Sequence, residues 1–241
     1  MKVTVILPAA GLGTRMGRSA PEKGGTSRKQ FMLLDGAPIL LHTIRKFATS
    51  PAVTEIVVAL RAEDIDWVRE LLASESFAKP VRLVEGGDAR QQSVENALNT
   101  LGLDTELVAV HDAVRPFIEH SVLDKVFAEA AETGAAIVGI VPVDTVKQVH
   151  LNKVRATIPR ERLMLAQTPQ VFRYALLRRA FDKAREDGFI GTDESSLVER
   201  LDVDVHVVSG SDRNIKITRP SDMELARLFL SEETAKVAGQ S

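Results

Sequence analysis

The chain has 241 residues, 44% of them hydrophobic and 27% charged, which suits one large α/β domain with a sizeable core rather than a disordered or fibrous chain. A formal net charge of −2 excludes a global basic field for nucleic acid or an anionic membrane, so any anion site must be a local cluster of Lys and Arg. The absence of Cys excludes disulfides, thiolate metal sites and Cys nucleophiles. Together with an N-terminus unlike a signal peptide and no apolar run of membrane length, it points to a cytoplasmic protein.

The first strand is VTVIL (3–7), and it breaks at Pro8 into a loop with Gly11, Gly13 and Gly17. A glycine loop after a strand suits bound phosphate. The dinucleotide pattern fails here. The third glycine comes one position late for GxGxxG, and Asp35, at the distance of a ribose-binding acid, sits in LLDGAP, which reads as a turn. No Gly-Lys-Ser/Thr follows, so the Walker pattern fails too. The loop does contain Arg15, a cation suited to charge that grows during phosphoryl transfer, or simply a solvated side chain. RSAPEKGGTS (18–27) is polar and rich in Gly and Ser, and reads as a lid over a phosphate site or a loose insertion. Arg28 and Lys29 follow in SRKQF.

Helical spacing then alternates with apolar, β-branched runs. Helices are predicted at 38–48, 63–74, 91–102 and 121–134, the last with Val122, Val126 and Ala130 on one face and Gly134 as C-cap. Strands are predicted at 55–60, 81–86, 107–113, 135–143 and 205–210. This order implies a mostly parallel sheet covered on both faces, with right-handed crossovers. Two polar clusters fall at strand ends, where open α/β sheets bind ligands. In EGGDARQQSV (85–94), Gly86 and Gly87 permit close approach, while Asp88 and Ser93 can contact a base or ribose, or merely cap a helix. In VHDAVRP (110–116), Asp112 suits Mg²⁺ on phosphates or a simple turn, and Arg115 suits a second phosphate. VKQVHLNKVRATI (146–158) breaks the rhythm. It reads as an exposed β-hairpin turning at Asn152-Lys153, either a dimerisation arm or a surface flap. The chain after about Ser231 is polar and is expected to fray.

PAAGLGTRMG, KQF, EGGDARQQSV, HDAVRP, VDTVK, QTPQVF, TDESSLVE and RNIKITRP occur in order along nearly the whole chain. Together they resemble the 2-C-methyl-D-erythritol 4-phosphate cytidylyltransferase family of the non-mevalonate isoprenoid pathway. The resemblance implies a Rossmann-like nucleotidyltransferase fold over 1–231, with a dimerisation arm at about 144–166 inserted and a tail at 232–241. It also implies CTP, a divalent cation such as Mg²⁺, and a homodimer with a shared active site.

Residue by residue, Ala9, Ala10, Gly11 and Gly13 match the family's CTP loop. Gly87, Asp88 and Ser93 match its cytosine- and ribose-contacting segment. Asp112 matches the aspartate near metal and substrate, followed by Ala113. Arg115, Thr168 and Thr192 match the methylerythritol phosphate pocket, and Thr145 and Arg160 match arm residues that reach the neighbouring subunit's site. Lys216 matches the lysine that positions the reacting phosphate. Arg15 and Lys29 match the pair that stabilises the transition state. The segment between those two is longer here than in familiar members. Lys29 keeps the KQF context, and Lys23, which follows PE, is the rival. The implied reaction needs alignment rather than a general base, because the acceptor phosphate is already ionised, and His42 and His111 read as structural. The alternatives are a cytidylyltransferase for another polyol phosphate such as ribitol 5-phosphate, an NAD-dependent oxidoreductase, or a non-catalytic nucleotide sensor.

Overall fold

A computed structural model describes residues 1–11 and 28–238, and the side chains through residue 235. In chain order the elements begin with β1 (Val3–Pro8), a 3-10 turn at Lys29–Phe31, β2 (Leu33–Leu34), β3 (Ala37–Pro38), α1 (Ile39–Ala48), β4 (Val53–Leu60) and α2 (Ala62–Ala73). They continue with β5 (Val81–Glu85), α3 (Arg90–Leu98), β6 (Leu107–Val110), α4 (His120–Thr133) and β7 (Ala135–Ile140). Then come β8 (Val146–His150), β9 (Lys153–Ile158), a 3-10 turn at Arg160–Arg162 and β10 (Leu165–Arg173). The chain closes with α5 (Tyr174–Glu186), α6 (Glu194–Glu199), β11 (His206–Ser209) and α7 (Pro220–Ala238).

Seven strands form one sheet in the order β11-β7-β10-β6-β1-β4-β5, parallel except for β10. Alternate side chains feed two cores. On β4, Ile56, Val58 and Leu60 face one cluster with Phe47 and Phe127, while Val57 and Ala59 face the other with Phe172 and Phe181. Both sets are buried, which is why these strands read as continuous apolar runs rather than as an alternation. Each such Ile or Leu contributes about 1.5–3 kcal/mol on leaving water. On α4, Val122, Val126 and Ala130 are buried, and Gly134 ends the helix at φ 97° with its N–H donating to Ala130 O. The Asp35-Gly36 turn has φ values of 50° and 79° and joins β2 to β3.

β1 lies between β4 and β6, so the chain leaves β1 toward one side and later returns on the other. That reversal is a topological switch point, and it opens a crevice at the carboxyl ends of β1 and β6. Residues 9–11, just past β1, and the HDAVRP segment, just past β6, both leave the sheet there.

Four differences from the sequence reading have physical causes. β10 is central, antiparallel and not foreseen. Its pairing with β7 breaks between Ala166 and Gln170, across Pro169, which has no N–H to give to a ladder. β6 and β7 stop at Val110 and Ile140, short of the predicted 113 and 143: after β6 the chain turns Asp112 and Ala113 into the crevice wall, and after β7 it reaches Pro142, which has no N–H to give to a ladder. The hairpin turns at Leu151-Asn152, with φ values of 48° and 59°, rather than at Asn152-Lys153. A two-residue hairpin turn of type I′ needs left-handed backbone at both positions, and Asn tolerates it well. α7 passes through Ser231 without ending, and Glu232 and Glu233 pair with Arg213 and Lys46.

Among the described residues β8 and β9 pair only with each other, and Val149, Leu151 and Val154 are exposed. No helix among the described residues is long and apolar enough to cross a membrane.

Candidate active site

A cavity of about 210 Å³ opens at the switch point. Its walls bring together Ala9, Ala10, Gly11, Lys29, Gly87, Asp88, Ser93, Asp112, Ala113 and Lys216, all named from the sequence. Gly13, Arg15, Gly17 and Lys23 lie outside the described residues.

The floor is the chain leaving β1. Gln30 Nε2 donates to Ala9 O at 2.7 Å and Gly11 O at 3.2 Å, and Arg61 Nε donates to Ala10 O at 3.1 Å. These donors engage carbonyls that would otherwise repel a phosphate. Gln30 is 1% exposed and sits in the same 3-10 turn that delivers Lys29 to the cavity.

The wall beside the floor is the turn before α3. A Cβ at Gly86 would stand 2.7 Å from Ala10 Cβ, so only glycine lets this turn approach the floor. Ser93 Oγ accepts from Gly87 N at 3.0 Å and donates to Ala89 O at 3.0 Å. Its hydroxyl therefore holds the turn in shape, while Asp88 is exposed.

Asp112 stands on the opposite wall, just past β6. Its side chain is 9% exposed and meets three cations: Lys216 Nζ at 3.0 Å, Arg115 Nε at 3.1 Å and Arg90 Nε at 3.4 Å. Burial pushes its carboxyl up, but Lys216, Arg90 and Arg115 outweigh that and hold it well below the usual carboxylate range. Lys216 is far away in sequence, and hydrogen bonds carry it here. Ile217 N donates to Val114 O at 3.0 Å, and Arg115 Nη1 donates to Asn214 O at 2.7 Å. Ile217 is fully buried beside Val114 and Phe117.

Thr168 and Arg115 are placed one layer behind the cavity. Asp112 N donates to Thr168 Oγ1 at 3.0 Å, and Thr168 Oγ1 lies 3.1 Å from His111 Nδ1. His111 Nε2 donates to Arg115 O at 3.0 Å, which leaves Nδ1 to accept from the threonine. Thr192 is exposed at the entry to α6. Thr145 and Arg160 are exposed and lie outside this chain's cavity wall, with Arg160 Nη1 donating to Val143 O at 2.5 Å.

His111 is fully buried, and burial pushes its imidazole down to about 4. That lies below the unfolded value of ~6.5, so between the two the unfolded chain binds the extra proton. Stability should therefore be full above pH ~6.5 and fall by about 3 kcal/mol as pH drops toward 4. Burial also lowers His42, which adds a slope of the same sign. The measurement is urea unfolding at stepped pH for wild type and His111→Gln. An equal slope in both proteins would remove His111 as its source.

Four contributors were missed from sequence: Gln30, Arg90, Glu194 and Asn214. Gln30 and Asn214 work through backbone carbonyls, and Arg90 and Glu194 through each other, so none carries a spacing signal. All four nevertheless sit inside motifs already singled out: KQF, EGGDARQQSV, TDESSLVE and RNIKITRP. No cluster of three or more acidic, His or Cys side chains stands ready for a metal among the described residues.

Residues 3–232 match the family model of 2-C-methyl-D-erythritol 4-phosphate cytidylyltransferase. A protein of that name from Solibacter usitatus (strain Ellin6076) is 69% identical, covering 98% of both chains. Another from Acidobacterium capsulatum is 50% identical, covering 98% of this chain and 100% of that protein. The crystal structure of 4-diphosphocytidyl-2C-methyl-D-erythritol synthase from Anaerococcus prevotii DSM 20548 superposes with a TM-score of 0.83 at 29% identity, covering 95% and 96% of the two chains.

Proposed function

This chain belongs to the 2-C-methyl-D-erythritol 4-phosphate cytidylyltransferase family, and from that premise we propose how its site works. The enzyme transfers CMP from CTP to 2-C-methyl-D-erythritol 4-phosphate in isoprenoid precursor biosynthesis. The products are 4-diphosphocytidyl-2-C-methyl-D-erythritol and pyrophosphate. The observation that carries the site assignment is the Asp112 cluster, which puts Lys216 on the cavity wall facing the nucleotide turn.

The nucleotide lies over Ala9–Gly11, with its base and ribose against Gly87 and Asp88. The acceptor phosphate is a dianion at neutral pH, so it attacks the α-phosphorus without a base. One P–O bond forms as the bond to the pyrophosphate oxygen breaks, and the pyrophosphate leaves with its electron pair. Lys216 orients the acceptor in line, while Arg15 and Lys29 neutralise the equatorial oxygens and the leaving group. Thr168 and Arg115 act on the acceptor side by holding Asp112 in place, and Thr192 closes that side at the rim.

The donor set fits a Mg²⁺ that arrives with the triphosphate. Asp112 offers one ionised carboxylate on the wall, its Oδ1 at 3.4 Å from Arg90 Nε, and it would hold the ion together with phosphate oxygens. When bound, the ion would neutralise phosphate charge. We also propose one nucleotidyltransferase domain with the 144–166 segment as a dimerisation arm. Thr145 and Arg160 would then serve the partner's site. The exposed Val149, Leu151 and Val154 support this, since a lone hairpin needs a cover for its apolar face. The Cys-free sequence supports a cytoplasmic setting.

The direct test incubates the enzyme with CTP, Mg²⁺ and one polyol phosphate, and follows pyrophosphate. Methylerythritol phosphate should support turnover at least about tenfold better than ribitol 5-phosphate, the margin of one well-placed polar contact. Equal or reversed rates would reassign the acceptor.

A further inference from the structure

Arg90 is a cavity residue that the family motifs left without a role. Its Nη1 donates to Glu194 Oε1 at 2.7 Å, and its Nε lies 3.4 Å from Asp112 Oδ1. Glu194 is 1% exposed, and its second oxygen, Oε2, is buried with no hydrogen-bond partner among the described residues. A buried carboxylate held by one cation fixes that cation firmly. α3, α6 and the end of β6 meet at this guanidinium.

We infer that Arg90 is a positioning residue for the acceptor phosphate, anchored by Glu194 and acting through Asp112 on Lys216. The reason is a competition. Lys216 is to hold the acceptor, yet it is already paired with Asp112 at 3.0 Å. Each other cation on Asp112 weakens its hold on the lysine. Arg90 takes a share of the Asp112 charge, so Lys216 can turn to the incoming dianion at lower cost. Without Arg90, Asp112 grips Lys216 harder. The inference rests on the acceptor role of Lys216 proposed above.

Arg90→Gln should raise KM for methylerythritol phosphate about tenfold and lower kcat about tenfold, the loss expected for one charge-assisted contact. The Kd for CTP, measured by calorimetry, should move less than about threefold, since the nucleotide floor is untouched. Arg90→Gln leaves Glu194 unpaired and should also lower Tm. The double variant Arg90→Gln/Glu194→Gln replaces the ion pair by an amide pair and should regain most of that Tm while keeping the raised acceptor KM. If the double variant regains both Tm and acceptor KM, Arg90 only neutralises Glu194 and the inference is wrong. A matching loss in CTP Kd and acceptor KM would also overturn it. Failure of the wild type to use methylerythritol phosphate at all would instead sink the function it rests on.

Discussion

Lys216→Ala should lower kcat about 100-fold or more, as when a single donor to a developing anion is removed. The fold should survive the change. The lysine side chain is one-third exposed, and the backbone around it is held by Ile217 N to Val114 O and by Arg115 to Asn214 O, none of which uses the ammonium. The informative quantity is therefore single-turnover pyrophosphate release at saturating CTP, with far-ultraviolet circular dichroism as a control. Wild-type turnover would mean that the segment acts by shape and that the charge on Lys216 is idle. The same variant tests the arm. Arg160 lies on the hairpin side, away from its own chain's cavity wall. If it reaches a partner's site, mixing inactive Arg160→Ala and Lys216→Ala subunits leaves one complete site in each hybrid dimer. Activity should then reappear at about a quarter of the wild-type level in an equal mixture. Continued silence in a mixture shown to exchange subunits would place Arg160 outside the chemistry.

Asp112→Asn should be costly in both activity and stability. The carboxylate is nearly buried and is shared by Lys216, Arg115 and Arg90, so the amide strips the carboxylate from Lys216 and Arg115 and leaves Arg90 with Glu194 alone. Removing one partner of a buried ion pair costs about 3–5 kcal/mol. In a domain of this size that is on the order of 10 °C in Tm. Turnover should fall about 100-fold, because Asp112 sets where Lys216 stands, even though too strong a hold on the lysine costs acceptor affinity. The sign of the pH effect follows from the depressed carboxyl. Its stabilisation is whole above the unfolded value of ~3.9 and is lost only as pH falls below that, toward the lower folded value. Wild type and variant should therefore differ fully at neutral pH. An unchanged Tm and rate at pH 7 would show that the cluster is incidental.

The apolar runs of β1, β4, β6 and β7 could be read directly, because strands buried on both faces carry their signal in adjacent residues. The cap at Gly134 and the turn at Asp35-Gly36 were legible for a similar reason: backbone with φ above zero selects a few residue types. The cavity residues were legible as motifs, since glycine approach and charged ends are local features. β10 was not, because its polar Gln167, Thr168 and Gln170 are explained only by partners from distant loops, Asp193, Ser211 and Asn214, and its Pro169 by the break in the pairing with β7. α7 passing Ser231 was missed because Lys46 and Arg213, which pair with Glu233 and Glu232, come from other parts of the chain.

The sequence by itself determined the α/β class, the alternation of strands and helices, and the types of side chain available to bind phosphate. Only the tertiary structure decided which of them meet. Asp112 gathers Arg90, Arg115 and Lys216 from three segments because the strand order reverses beside β1 and the docking of Ile217 under Val114 brings the last segment home. Thr168 and Arg115 look alike as candidates in the sequence, yet they end one layer back. The buried His111 and Asn214 claim the hydrogen bonds of that layer, and a buried polar group must be satisfied before any ligand can be served.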